Sequence, residues 1–141
     1  MFSSLYRYFE PKKDYGVIFL RLVIGLRLVA GAWVVIKSSE QMAGVEKFFQ
    51  SLHIPAPGIS GYVSVYAQFI CGILFIIGLW VRPAALVMII NFIVAIIAAH
   101  LKDSLVTAFA PWVILAASFF FLFYGAGKIS LDEQFKKRAT D

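Results

Sequence analysis

Residues Gly61–His100 read GYVSVYAQFICGILFIIGLWVRPAALVMIINFIVAIIAAH, forty residues in which Arg82 is the single charged side chain. A helix crosses about 30 Å of hydrocarbon in roughly 20 mostly apolar residues. The stretch is therefore long enough for two passes, and Val81-Arg82-Pro83 divides it into a very tight hairpin. Pro83 falls early in the second pass, where a missing N–H costs little. The sequence predicts spans at about Gly61–Val81 and Pro83–Leu101.

Working outward, the rest of the chain has the same character. Of its 141 residues 61% are hydrophobic and 15% charged, and its mean hydropathy is +0.84. Soluble domains carry about 45–50% apolar and about 25% charged residues, and a chain this small has too much surface to hide such an excess. Its wealth of Ile, Leu, Val and Phe equally excludes disorder. Two further spans fit at about Tyr15–Ile36 and Leu105–Gly125, with Pro111 expected to kink the last and free the Thr107 carbonyl. The reading is an all-α integral membrane protein, a four-helix transmembrane bundle over residues 15–126. Residues 1–14 form an interfacial segment before it, and 127–141 a basic cytoplasmic tail after it. The N-terminal segment is not a secretory signal: it carries Glu10 and Asp14, and no small-residue cleavage site follows the apolar run.

Basic residues orient the bundle. Arg7, Lys12, Lys13, Arg82, Lys128, Lys136, Lys137 and Arg138 lie on one side, against Lys37, Lys47 and Lys102 on the other. The positive-inside rule then places both termini in the cytoplasm and the loop Lys37–Ser60 outside. Within that loop, Met42, Val45, Phe48, Phe49 and Leu52 share one helical face, which predicts a short amphipathic helix lying in the interface. Pro55-Ala-Pro-Gly58 ends it.

Polar groups inside spans are costly unless partnered, so they are the candidates for function. All eight acidic residues fall outside the spans. Arg27 is near the middle of the first span and Arg21 about 9 Å shallower. Gln68, in the stripe Ser64-Gln68-Cys71/Gly72, and Asn91, in the stripe Ala84-Met88-Asn91-Ala95, both lie within about one turn of the midplane. A central cluster of Arg27, Gln68 and Asn91 is expected from these depths. Arg21 and Arg27 are about 120° apart around their helix, so both cannot face the bundle centre. Two readings stay open for these groups: hydrogen-bonded glue between helices, or a site whose donors suit a carbonyl or anionic oxygen.

Other chemistry is thinly represented. His53 and His100 lie in the outer loop and at the outer end of the third span, without an acidic partner for a metal. The single Cys71 excludes an internal disulfide or a Cys-rich zinc site. Trp33, Trp80, Tyr62, Tyr66, Trp112 and Tyr124 sit near span ends as an aromatic belt. No motif for flavin, haem, iron–sulfur or dinucleotide is present, and the basic residues form no aromatic-interleaved stripe for nucleic acid.

Several stretches, in order, resemble the DoxX family of small four-helix bacterial membrane proteins. They are Arg21-Leu-Val-Ile-Gly25 with Lys37, and Ala67-Gln68-Phe-Ile-Cys71-Gly72-Ile-Leu74, followed by Gly78-Leu79-Trp-Val-Arg82-Pro-Ala84-Ala85. The family's third span often ends in a histidine, as here at His100, and its Gly-x-Gly-x-x-Ser-Leu-Asp close is matched by Gly125–Asp132. Two positions depart: Gln68 stands where the family usually has Glu, and Cys71 where it has Gly. The resemblance implies a bacterial inner-membrane subunit tied to quinone-linked redox chemistry or redox detoxification, working with a soluble or membrane partner protein. It leaves open whether this chain is itself an enzyme.

Three functions are therefore weighed. One is an accessory redox subunit with a quinone, not covalently bound, in a polar pocket around Arg21 or Arg27, Gln68, Asn91 and His100. Another is a small-molecule binding or transport module. The third is a scaffold recruiting a partner through Ser130-Leu-Asp132 and Lys136-Lys-Arg138. Lipid is a partner in all three, and oligomerisation is open.

Overall fold

The computed structural model describes residues 2–100, 104 and 106–140. Among them the regular structure is entirely helical. Helix α1 (Phe2–Phe9) passes through a 3-10 turn at Glu10–Lys12 into α2 (Lys13–Ile36). A short α3 (Ser39–Ser51) follows, then α4 (Pro57–Ile77), α5 (Val81–Ala95), α6 (Phe109–Tyr124) and α7 (Leu131–Arg138). Among the described residues three runs are long and apolar enough to cross a membrane: Ser4–Ile36, Pro57–Ile77 and Val81–Ala99. The apolar α6 is shorter, at 16 residues. The expected span ends Leu101 and Leu105 lie outside the described residues.

The hairpin turns earlier than the proline suggested. Gly78, at φ +72°, ends α4 with its N–H on the Leu74 carbonyl, and Trp80, at φ +50°, leads directly into α5. A left-handed residue after the last turn is a common helix stop, so the break falls at Gly78-Leu79-Trp80 and Pro83 is already inside α5. Pro111 likewise is the third residue of α6, after the cap at Ala108. A first-turn residue has no intrahelical acceptor to lose, so at this position the proline breaks no bond of the helix, and Thr107 lies outside it. The third span ends in a π turn at Ile96–His100.

Helix α2 packs along α4, α5 along α6, and α3 rests on α4. Lipid tails are as apolar as the side chains, so close packing rather than water exclusion must hold such helices together. The α2–α4 contact shows how: a β-carbon on Gly25 would stand 2.7 Å from the Gly72 carbonyl oxygen, and one on Gly72 would stand 2.9 Å from that of Gly25. The two backbones touch. At the core, Phe75 and Phe121 are wholly buried with ring centroids 4.9 Å apart, against Leu28, Met88 and Val81. The outward faces of the helices remain apolar, as in Phe19, Ile70, Ile90 and Phe123.

The N-terminal segment is tied down at its far end. Asp14 is buried and accepts from the Tyr124 hydroxyl at 3.2 Å and the Lys128 backbone N–H at 3.3 Å. The start of α2, the hairpin and residues 125–130 thus share one end of the bundle, and α3 covers the other. The amphipathic α3 forms where the periodicity put it. Ser38 caps it through the Gln41 N–H, and Met42 is buried with Ala32 and Val65.

Candidate functional site

Two polar constellations stand out. The first lies between α4 and α5, which are close at their hairpin. Toward the α3 end they border a cleft of about 460 Å³, walled by Val63, Ala67, Val87 and Ala95 and roofed by Phe48 and Phe49 of α3 and by Leu52 just after it. Its polar groups form a chain: the Ser64 hydroxyl donates to Asn91 Oδ1 at 2.8 Å, and Gln68 Nε2 reaches Ser64 Oγ at 3.4 Å. Ser64 and Gln68 share a face of α4 at i,i+4 spacing, the ordinary geometry for neighbouring helical side chains. With Oδ1 held by Ser64, Asn91 has its Nδ2 hydrogens left for another acceptor, and Gln68 has its Oε1 left for a donor. The cleft thus offers a neutral hydrogen-bonding wall in an apolar surround.

The second constellation is at the opposite end, around Arg21. A helix leaves its last carbonyls without intrahelical partners, and in α4 those of Phe75 and Ile76 are taken by Arg21, Nε at 2.9 Å and Nη2 at 3.2 Å. Arg21 Nη1 donates to Ala126 O at 2.6 Å and to Ile129 O at 3.0 Å. One buried guanidinium therefore joins α2, the end of α4 and the strap 125–130. Asp132 completes the joint: its carboxylate accepts the Trp80 N–H at 2.7 Å and the Val81 N–H at 3.0 Å, capping α5, while its own N–H donates to Gly78 O at 3.0 Å.

Of the residues singled out from sequence, the structure brings Gln68 and Asn91 together and places Arg21 in the joint, not in the cleft. Arg27 does not join Gln68 and Asn91. It is exposed on the outer face of α2, its guanidinium folded over Gly31, where a β-carbon would meet Nη1 at 2.6 Å. The expected central cluster of three fails because α2 presents the Gly25 and Leu28 side of its surface to the bundle. Only one of the two arginines faces inward, as their angular separation requires. The His100 side chain lies outside the described ones. Cys71 is buried and free.

Sequence reading missed Ser64, Asp14 and Asp132 as positioning residues. For the last there was a signal: Ser130-Leu-Asp-Glu133 has capping-box spacing, and Ser130 Oγ does accept the Glu133 N–H at 3.2 Å. Ser130-Leu-Asp132, the segment weighed as a partner hook, is folded against the hairpin through Asp132. Lys136, Lys137 and Arg138 remain exposed.

A bundle of long apolar helices, closed at one end by a buried arginine and bordered at the other by a cleft, defines a small helical membrane protein. The DoxX family model matches residues 16–101, well over half of the chain, and the protein belongs to that family. The match takes in Arg21, Gln68 and Asn91 and stops before the strap. No curated protein and no solved structure gives a significant match.

Proposed function

We propose that this protein is a four-span subunit of a bacterial inner membrane, both termini cytoplasmic, that holds a lipid-soluble carbonyl compound of the quinone class for a redox partner. The observation carrying this reading is the Gln68–Ser64–Asn91 chain on the wall of an apolar cleft. A ligand with a long apolar body and a ring carbonyl fits that surround, its carbonyl accepting from Asn91 Nδ2. Among the described residues no lysine, arginine or carboxylate lines the cleft, which favours a neutral ligand over an anion such as a sulfur oxyacid. A bound quinone would supply the electron-carrying chemistry. This chain's residues would orient its carbonyl, shield it with Phe48 and Phe49, and keep it within reach of the partner. The excess of basic residues at the end carrying the start of α2 and the strap supports the cytoplasmic placement of the termini.

The test is mass spectrometry of an organic extract from protein purified gently out of native membranes, beside Asn91→Leu and Ser64→Ala variants. The expected result is about one quinone per chain, reduced in Asn91→Leu, where binding weakens roughly tenfold for one lost hydrogen bond. A different stoichiometric apolar molecule, lost in the same variant, would replace this reading with a binding or transport module. Bulk phospholipid alone would refute both.

A further inference from the structure

A second depression, of about 560 Å³, lies where the apolar helices end at the hairpin and strap, and the cleft reading has no use for it. Its lining is charged with both signs: Arg82, Lys128 and Lys136 against Asp14, Asp132 and Glu133. Two of these carboxylates are already occupied. Asp14 accepts from Tyr124 and Lys128, and Asp132 accepts from Trp80 and Val81. Glu133 donates its backbone N–H to the Ser130 hydroxyl and is also among the residues lining the depression. Among the cations, Arg82 gives Nη2 to Phe123 O at 3.3 Å and is otherwise exposed; Lys136 is exposed, and Lys128 is 4.0 Å from Asp14 with its side chain 76% exposed.

We infer that this depression binds the headgroup of a phospholipid bearing a primary amine, the phosphate on Arg82, Lys128 and Lys136 and the ammonium on Glu133. Its depth matches: Ile77, Val81 and Tyr124 mark the ends of three apolar helices here, and Trp80, 66% exposed, projects at the same level as an interfacial anchor. Apolar surface for an acyl chain adjoins it, since Leu86 follows Arg82 at i+4 and Phe123 supplies the Arg82 carbonyl contact, both side chains exposed. Basic pockets at the ends of membrane helices are a recurring means of holding lipid phosphates. The carboxylate makes this one selective: a primary ammonium donates hydrogen bonds to Glu133, a trimethylammonium has none to donate, and a glycerol headgroup brings no charge.

The full-length protein, delipidated in detergent, is titrated by native mass spectrometry with short-chain phosphatidylethanolamine, phosphatidylcholine and phosphatidylglycerol, and separately with free phosphoethanolamine. The expected preference is for the ethanolamine lipid over choline by at least about tenfold, the lower end of the range for one charge-assisted hydrogen bond. Glu133→Gln should remove that preference while phosphate-dependent binding persists. Lys128→Gln with Lys136→Gln, both exposed, should weaken every phospholipid without unfolding the protein. Equal binding of ethanolamine and choline lipids, or glycerol lipid binding most tightly, overturns the assignment. So does free phosphoethanolamine competing as well as the lipid, which would make this a site for a soluble anion. Quinone content of the α4–α5 cleft is unaffected by these outcomes, so the two readings fail separately.

Discussion

Gly78 lies directly beneath the Arg21 guanidinium: a β-carbon there would stand 2.7 Å from Arg21 Cζ, on a backbone held at φ +72°. Conformation and space both demand glycine. A left-handed conformation costs an L-residue about 1–2 kcal/mol, and the collision adds to it because Arg21 is pinned by four carbonyl contacts. Gly78→Ala is therefore expected to lower the thermal unfolding midpoint in detergent well beyond Gly44→Ala, a helical position with open space around it. Equal behaviour of the two variants would remove the arginine from its assigned place over the hairpin.

Arg21→Lys should be nearly as damaging as Arg21→Gln. An ammonium is a point donor, whereas the planar guanidinium reaches acceptors on two separate segments at once. Hydrogen bonds from charged groups contribute about 1.5–3 kcal/mol each, so losing even one segment's contacts should cost about 2 kcal/mol or more. Unfolding curves of the purified variants decide it, and a lysine variant as stable as the parent would show that positive charge alone suffices at this position.

The contrast between Arg21 and Arg27 also shows what could be read from the chain alone. Apolar runs locate helices because the bilayer tolerates little else, and α3 follows from its own periodicity. Depth along a helix is legible too, at a fixed rise per residue. Which side of α2 meets α4 is set instead by the mutual approach of Gly25 and Gly72, a tertiary fit between residues 47 positions apart. Mid-span depth therefore suggested a partnership for Arg27 that its facing denies. Gln68 and Asn91 line one cleft, each on a stripe of small residues. Ser64, the hydroxyl between them, is legible as part of the Gln68 stripe, but its bond to Asn91 follows only once the two stripes are apposed. Proline is conspicuous in a sequence, while a left-handed glycine is ordinary until its φ is seen, so the turn at Gly78 precedes the one that Pro83 suggests.

The C-terminal region should divide sharply in its effects. Asp132→Ala removes the acceptor for two N–H groups at the start of α5, and losing a helix cap typically costs about 1 kcal/mol. Deleting Phe135–Asp141 removes residues that are exposed wherever described, and should change stability by no more than about 0.5 kcal/mol. The same deletion takes away Lys136, Lys137 and Arg138, so a fall in membrane recruitment of a soluble partner, with the fold intact, would show that the scaffold role resides in the tail. A deletion as destabilising as Asp132→Ala would mean that α7 supports the hairpin along its whole length.

Arg27 and Asn91 make the most discriminating pair of substitutions. Arg27 is exposed on α2 and not among the groups lining the cleft, whereas Asn91 lines it and is held by Ser64. Arg27→Leu should leave the content of any cleft ligand unchanged. It should also ease insertion of the first span, where an arginine at the helix centre costs about 2.5–3.5 kcal/mol on insertion scales. Asn91→Leu should do the reverse: insertion and unfolding little changed, ligand content reduced about tenfold for the loss of one hydrogen bond in an apolar surround. Both are read from the same preparations, by expression level, by unfolding midpoint and by mass spectrometry of the extract. If Arg27→Leu empties the cleft while the bundle stays folded, the guanidinium acts on the ligand from outside the site described, and the assignment of the cleft to Gln68, Ser64 and Asn91 alone would have to be abandoned.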